Sequence, residues 1–479
     1  MKYFNLLVLS LFVVACTGTE NKSKIRIGDY LKKCEANGVS GSVLVAQKGE
    51  VLFSGGIGFR DKEQKLTVTK ETVFTTGSLT KQFTATAILR LADEGKLTLE
   101  DNLTIYFQDV PEDKKDITIQ QLLTHSSGLI GDLDYGVDFV PINKKDFIDG
   151  ILNAELNFQP GTGYRYANAG YSLLAIIIEK VTQTDYETYL QTALFSKAGM
   201  KNTGYLMPDW DKTNIARGYK CGEDWGTHIE RWEASSNVIS WHLKGNGGIL
   251  STPEDLYKWY LAIKEGRIIK KESIERMFYP HVPENENGDS FYGYGWAIFN
   301  SERNTKIVAH NGSNGVFYAD FIQLPEEDAV IIYMTNQLRY DTQVIGWEIE
   351  KLLFDESYKP VIPKMKYEEY ASEAASNKNI KIINEFVSLI LMKEDIQTPD
   401  EIDAFIRKYI PNETSRNRYK RFFQNMREDF VNHKLKHILE YKDMTYDIVL
   451  ESPEGQVTDL APCFDLKFND QNQIIAFGW

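Results

Sequence analysis

Phe74-Thr-Thr-Gly-Ser-Leu-Thr-Lys-Gln-Phe-Thr-Ala-Thr-Ala-Ile-Leu89 contains the one Ser-x-x-Lys of the chain, at Ser78 and Lys81. Thr76 and Gly77 sit where a turn ends, and Phe83, Ala87, Ile88 and Leu91 then recur at helical spacing until Gly95. The pattern predicts that Ser78 opens a helix. Residues three apart on a helix share a face, with Cβ atoms about 5–6 Å apart, so the Lys81 amine reaches the Ser78 hydroxyl. A buried Lys with a lowered pKa is a base for a serine nucleophile. The helix N-terminus adds unpaired backbone N–H groups aimed at developing negative charge.

Outward from this stretch, β-rich runs meet at Lys48-Gly49 and predict a hairpin over 41–56, preceded by a short helix over Ile25–Cys34. Helical segments from Ser78 to Val181 interrupt the β pattern. Strands resume at Lys306–His310, Phe317–Leu324 and Ala329–Thr335, and Trp347–Phe354 belongs to a closing helix. This predicts an antiparallel sheet made from both ends of the region, flanked by helices, with a helical insertion between them. Pro360 and Pro363 mark a linker over 355–366. Residues 367–479 then read as a small α+β domain, helical from Tyr367 to Leu439, with strands at Met444–Leu450 and Ile474–Trp479.

The chain has 479 residues, 42% hydrophobic and 25% charged, which suits a globular protein of two or three domains. Its net charge of −14, with no long basic run, argues against nucleic acid or anionic lipid surfaces as partners and for a small-molecule or peptide substrate. Residues 1–15 read as a signal peptide, with an apolar run at Leu6–Val14 too short to span a bilayer. Val13-Val14-Ala15-Cys16 is similar to a bacterial lipobox. It implies acylation of Cys16, a polar tether over 16–24, and a lipid-anchored protein on the exported side of the bacterial cell envelope. Cys34, Cys221 and Cys463 match no zinc or redox spacing and are read as buried small residues, with at most one disulfide among them. No pattern points to a metal or cofactor.

Two further motifs bear on chemistry. Tyr166-Ala-Asn168 follows a Pro160-Gly161-x-Gly163 turn and precedes an apolar helix. A Tyr near a Lys ammonium has a lowered pKa and accepts a serine proton. His310-Asn-Gly312-Ser313 ends a strand. Gly312 allows close approach of a substrate backbone, and the Ser313 N–H is placed as an oxyanion donor.

In this order and spacing, the three motifs resemble the serine β-lactamase and penicillin-binding-protein superfamily, in its class C β-lactamase and esterase branch. Leu122-Leu-Thr-His-Ser-Ser-Gly-Leu129, Gly199-Met-Lys-Asn-Thr203, Gly247-Gly-Ile-Leu-Ser-Thr-Pro-Glu-Asp-Leu256 and Tyr292-Gly-Tyr-Gly-Trp296 fit the same branch. The resemblance covers residues 25–354 and implies a β-lactamase/transpeptidase-like α/β (α+β) fold. It implies Ser78 as acylated nucleophile, Lys81 as its proton-transfer partner and Tyr166 as general base. It also implies Asn168 as a ligand of substrate amide or Lys81, with the N–H groups of Ser78 and Ser313 forming the oxyanion hole. His125 falls in a recurring structural turn. The expected reaction is hydrolysis of a small ester or amide, of esterase or D-amino-acid-peptidase type, without cofactor. Alternatives are a D,D-carboxypeptidase, a weak class C β-lactamase, or a sensor that binds penicillin or peptide without turnover. Where β-lactamases and D,D-peptidases carry Lys-Thr-Gly this chain has His310-Asn-Gly312, and losing that lysine weakens carboxylate-bearing substrates by about 1.5–3 kcal/mol. Four tryptophans between Trp210 and Trp241 offer either an aromatic acyl pocket or loop packing.

Overall fold

The computed structural model describes residues 22–478 except 134–137, 236, 371–377, 392–398, 414–415, 417–432, 442–443 and 452–462. Cys16 and the leader lie outside the described residues. Helix α1 (Lys22–Ala36) precedes the hairpin β1 (Gly41–Gln47) and β2 (Glu50–Ile57). Next come α2 (Thr80–Asp93), α3 (Asn168–Thr182) and α4 (Pro253–Lys264). The strands β3 (Val282–Pro283), β4 (Ser290–Tyr292), β5 (Ala297–Asn300), β6 (Lys306–Ser313), β7 (Tyr318–Leu324) and β8 (Ala329–Thr335) follow, and α5 (Ile345–Phe354) closes the region. Residues 22–24, expected in the tether, are helical and belong to α1.

These strands form one antiparallel sheet in the order β2-β1-β8-β7-β6-β5-β4-β3. The first strands pair with the last, with Gly41 opposite Thr335. Every residue of β7 and β8 is buried, which requires cover on both faces. Side-chain alternation divides the cover. Leu44, Val330, Ile332 and Met334 join the core with α2, α3 and α4, whereas Val43, Val45, Ile331 and Tyr333 pack with Ile27 and Leu31 of α1 and Ile345 and Ile349 of α5. The short β3, β4 and β5 went unforeseen, because runs of two to four residues carry too little periodicity.

Residues 355–366 are pinned to this domain. The Glu348 carboxylate accepts from the Tyr358 hydroxyl (2.9 Å) and the Val361 N–H (2.6 Å), and the Arg26 guanidinium donates to the Leu352 and Tyr358 carbonyls.

The C-terminal region forms a meander of β9 (Tyr367–Tyr370), β10 (Lys434–Tyr441), β11 (Thr445–Glu451), β12 (Cys463–Phe468) and β13 (Ile474–Gly478), with α6 (Lys378–Leu391) and α7 (Pro399–Tyr409). Both ends of the stretch expected to be helical, 367–439, are therefore strands. Tyr367-Glu-Glu-Tyr370 and Lys434-Leu-Lys-His437 earn their β conformation from pairing with each other's strand and with β11. One face of this sheet takes Ile383 and Phe386 of α6 and Phe405 of α7 against Ile448, Phe464 and Leu466. Leu439, Tyr441, Val449 and Cys463 form the other face, against Cys221 of the first domain.

Cys221 and Cys463 are joined by a disulfide, so they are not the separate buried thiols expected from spacing; Cys34 is buried and free. Fold geometry, not spacing, pairs residues 242 apart. Beside it, Arg339 donates to Asp447 (2.8 Å) and stacks on the Tyr441 ring (3.6 Å), while Lys436 reaches Glu223 (2.9 Å). No helix among the described residues is long and apolar enough to cross a membrane. Reduction, or Cys463→Ser, is expected to cost about 2–5 kcal/mol of C-terminal domain stability. Calorimetry should show that domain melting earlier while the first domain's transition moves little, and limited proteolysis should show faster cleavage near 355–366.

Candidate active site

Ser78 lies in a tight turn, Gly77–Leu79, that runs directly into α2. Lys81 follows one turn later and is fully buried. Its Nζ lies 3.1 Å from Ser78 Oγ, 2.7 Å from Asn168 Oδ1 and 2.8 Å from the Asn246 carbonyl oxygen. Burial pulls the amine down to about 7, and the Asp132 and Asp138 carboxylates oppose that fall. An amine poised near neutrality, touching a serine hydroxyl, is able to take its proton.

Asn168 is the first residue of α3, whose next ten residues are all buried, so its side chain stands on a rigid base. Its Nδ2 donates to Asp132 (2.8 Å), which orients the oxygen toward Lys81. Tyr166 precedes it, with the Lys81 ammonium 4.6 Å from the ring centroid. The expected lowering of the Tyr166 pKa is not found. Burial pushes this phenol well above its ordinary value, only partly offset by its hydrogen bond with Ser78.

His310 stands on β6. A carbonyl only accepts, so His310 Nδ1 donates to Asn311 O (2.6 Å) and Nε2 accepts from the Tyr292 hydroxyl (2.9 Å). Burial and the nearby Lys81 charge hold His310 down to about 3, so the ring is neutral. His125 is buried too, far below its usual pKa, with Nδ1 accepting from the Ala167 N–H (3.0 Å). Tyr166, Tyr171 and Tyr292 surround its ring at 4.3–5.1 Å. It holds the backbone between Tyr166 and Asn168 and does not touch Ser78 in a triad.

The backbone at Ser78 and the backbone at Ser313 come close because two glycines meet. A Cβ on Gly77 would lie 2.5 Å from the Ser313 nitrogen, and one on Gly312 would lie 2.0 Å from the Thr76 oxygen and 2.6 Å from the Ser78 nitrogen. Gly77 also has φ +51°, in the left-handed region. β5 pairs with β6 only as far as Ala297 opposite Ala309, so His310–Ser313 run on beyond it alongside Ser78. Ser78, Tyr166, Glu284, Tyr292, Ala297 and His310–Ser313 line a cavity of about 330 Å³.

All seven residues expected at the site, Ser78, Lys81, Tyr166, Asn168, His310, Gly312 and Ser313, therefore meet in one place. Asn246, Asp132 and Glu284 were missed. Asn246 acts through its carbonyl, which every residue type has, and the two carboxylates carry no motif. Trp225, Trp232 and Trp241 are buried in the main core, and the Trp210 indole donates to Tyr205 O (2.8 Å). The tryptophan-rich stretch is packing, and no tryptophan is among the residues that line the cavity. Gly312→Ala is expected to destabilise the protein by about 1–3 kcal/mol through overpacking against the Ser78 turn, measured by urea denaturation.

The Beta-lactamase family model matches residues 27–353. Penicillin-binding protein 4* of Bacillus subtilis is 29% identical over 341 residues, which span 68% of this chain and 74% of that protein. The octameric penicillin-binding protein homologue from Pyrococcus abyssi superposes with a TM-score of 0.60 at 28% identity, covering 68% of this chain and 76% of that one. D-amino acid amidase from Ochrobactrum anthropi SV3, at 23% identity and TM-score 0.58, covers 70% and 97% and shares the fold. The match runs through the whole first domain and the cluster around Ser78 and Lys81: the chain belongs to the beta-lactamase family.

Proposed function

We propose that this protein is a serine hydrolase that forms an acyl-enzyme at Ser78 and hydrolyses a small ester or amide. The observation that carries the reading is the buried Lys81 amine, drawn down to about 7 and 3.1 Å from Ser78 Oγ. Neutral Lys81 takes the Ser78 proton as Oγ attacks the carbonyl carbon. The resulting oxyanion accepts hydrogen bonds from the N–H groups of Ser78 and Ser313. On collapse, the bond to the leaving group breaks and the leaving amine or alkoxide takes a proton. Tyr166, protonated in the free enzyme, delivers it and is recharged from Lys81. Water then cleaves the ester at Ser78 by the reverse proton route. Tyr166 thus serves as relay rather than as resting phenolate.

The neutral His310 supports esters and amides over β-lactams and terminal D-alanine peptides, because that position offers a substrate carboxylate no fixed charge. The Cys221–Cys463 disulfide supports an oxidising compartment and hence export; anchoring through Cys16 rests on the lipobox-like sequence alone.

Turnover of p-nitrophenyl butyrate should be lost in Ser78→Ala. The acylation rate should fall as pH drops through about 7, since protonation turns the Lys81 base into an ammonium, and should level off above it. A Ser78→Ala variant with undiminished turnover, or a flat profile across pH 6–8, would sink the mechanism. Fast nitrocefin turnover would overturn the weight placed on His310.

A further inference from the structure

Glu284 shares the cavity with Ser78 and has no role in the steps above. It sits just beyond β3 and is half-buried. One carboxylate oxygen accepts from the Tyr164 hydroxyl (2.9 Å) and the other from the Ser290 hydroxyl. Both partners are neutral. A carboxylate has about four acceptor sites, so two hydroxyls leave it capacity for more donors. Among the described residues no Lys, Arg or His lies within ion-pair distance of Glu284, whereas the carboxylates of Glu350 and Asp447 are paired with Arg303 and Arg339. A partly desolvated carboxylate without a cation is costly unless a ligand supplies one.

The rest of the cleft has the same sign. Asp132 and Asp138 act on Lys81 electrostatically, and His310 and His125 are neutral. The Lys81 amine is directed to Ser78, Asn168 and Asn246, so its charge does not pair with Glu284. The rings of Tyr166 and Tyr292, edge to face with centroids 6.2 Å apart, also line the cavity and are of the kind that attract organic cations.

We propose that Glu284 receives an ammonium group of the substrate, so that the esters or amides cleaved at Ser78 are cationic. This rests on the hydrolase reading and deepens it by naming the substrate class. A cavity of about 330 Å³ has room for a group of amino-acid size. The ammonium belongs to the acyl unit, as in an α-amino acid amide, or to the leaving group, as in a choline ester; the chemistry at Glu284 is the same.

Two matched pairs test this. Alanine p-nitroanilide against its N-acetyl counterpart places the charge in the acyl unit, and acetylthiocholine against neutral ethyl thioacetate places it in the leaving group. At least one cationic member should exceed its neutral partner in kcat/KM by about tenfold or more, the scale of a charge-assisted hydrogen bond. Glu284→Gln should collapse that ratio toward one, and Glu284→Asp should restore part of it. The same compounds are titrated calorimetrically into the Ser78→Ala protein, where no turnover is needed. Tighter binding of a cationic member, lost in the Ser78→Ala, Glu284→Gln double variant, supports the inference even if wild-type protein hydrolyses nothing and the hydrolase reading fails. Neutral members favoured or equal in both pairs, in turnover and in binding, would overturn it, as would a preference that Glu284→Gln leaves intact.

Discussion

The cost of burying the Lys81 amine is the constraint on which the site depends. An ammonium withdrawn from water is tolerated only where oxygen atoms surround it, and here they come from three separate parts of the chain: Ser78, Asn168 and Asn246. Burial and this cage act against each other. Burial lowers the pKa, and the nearby carboxylates of Asp132 and Asp138 keep it from falling further. The outcome, an amine that gives up its proton near neutrality beside a serine hydroxyl, is what makes the site a candidate for acyl transfer. Neither term alone would produce it.

The backbone obeys an equally tight constraint. Gly77 and Gly312 are in such close contact that neither accommodates a side chain, and this contact brings the turn before α2 against the end of β6. It brings the backbone of Ser78 and that of Ser313 to one edge of the cavity. Gly295 makes a similar approach on the other side, where a Cβ would lie 3.0 Å from the Lys81 carbonyl oxygen and from Gln82. The helix carrying Ser78 and Lys81 is thus clamped by glycines from two strand-bearing segments. Its buried side chains, including Phe83, Ile88 and Leu91, hold it from the opposite side.

The C-terminal domain is held by a different balance. Its sheet spends one face on α6 and α7, and among the described residues the other presents Leu439, Tyr441, Val449 and Cys463, a small apolar patch for docking by burial alone. The Cys221–Cys463 bond, the Arg339–Asp447 pair and the stacking of Arg339 on Tyr441 make up the difference. Cys221 lies between the short strands Gly218–Lys220 and Glu223–Gly226, and the chain continues from there to His228, which touches Asn314 next to Ser313. The covalent link therefore joins the appended domain to the border of the cleft.

The sequence by itself determined the family, the layered antiparallel sheet of the first domain and the seven residues Ser78, Lys81, Tyr166, Asn168, His310, Gly312 and Ser313. These were legible because the three motifs Ser78-x-x-Lys81, Tyr166-x-Asn168 and His310-x-Gly312 together resemble the family, each on a local pattern: a one-turn spacing on a helix, a residue before an apolar helix, a glycine at a strand end. Tertiary structure alone decided the rest. The direction of the Tyr166 shift depends on how deeply the folded chain buries the phenol. The pairing of Cys221 with Cys463 depends on how two sheets face each other. The presence of Asn246, Asp132 and Glu284 at the site depends on loops whose path is set by packing. Helical and strand periodicities report the nearest neighbours along the chain, whereas charge, burial and disulfide pairing depend on neighbours in space, and these are set only when the segments close around Lys81.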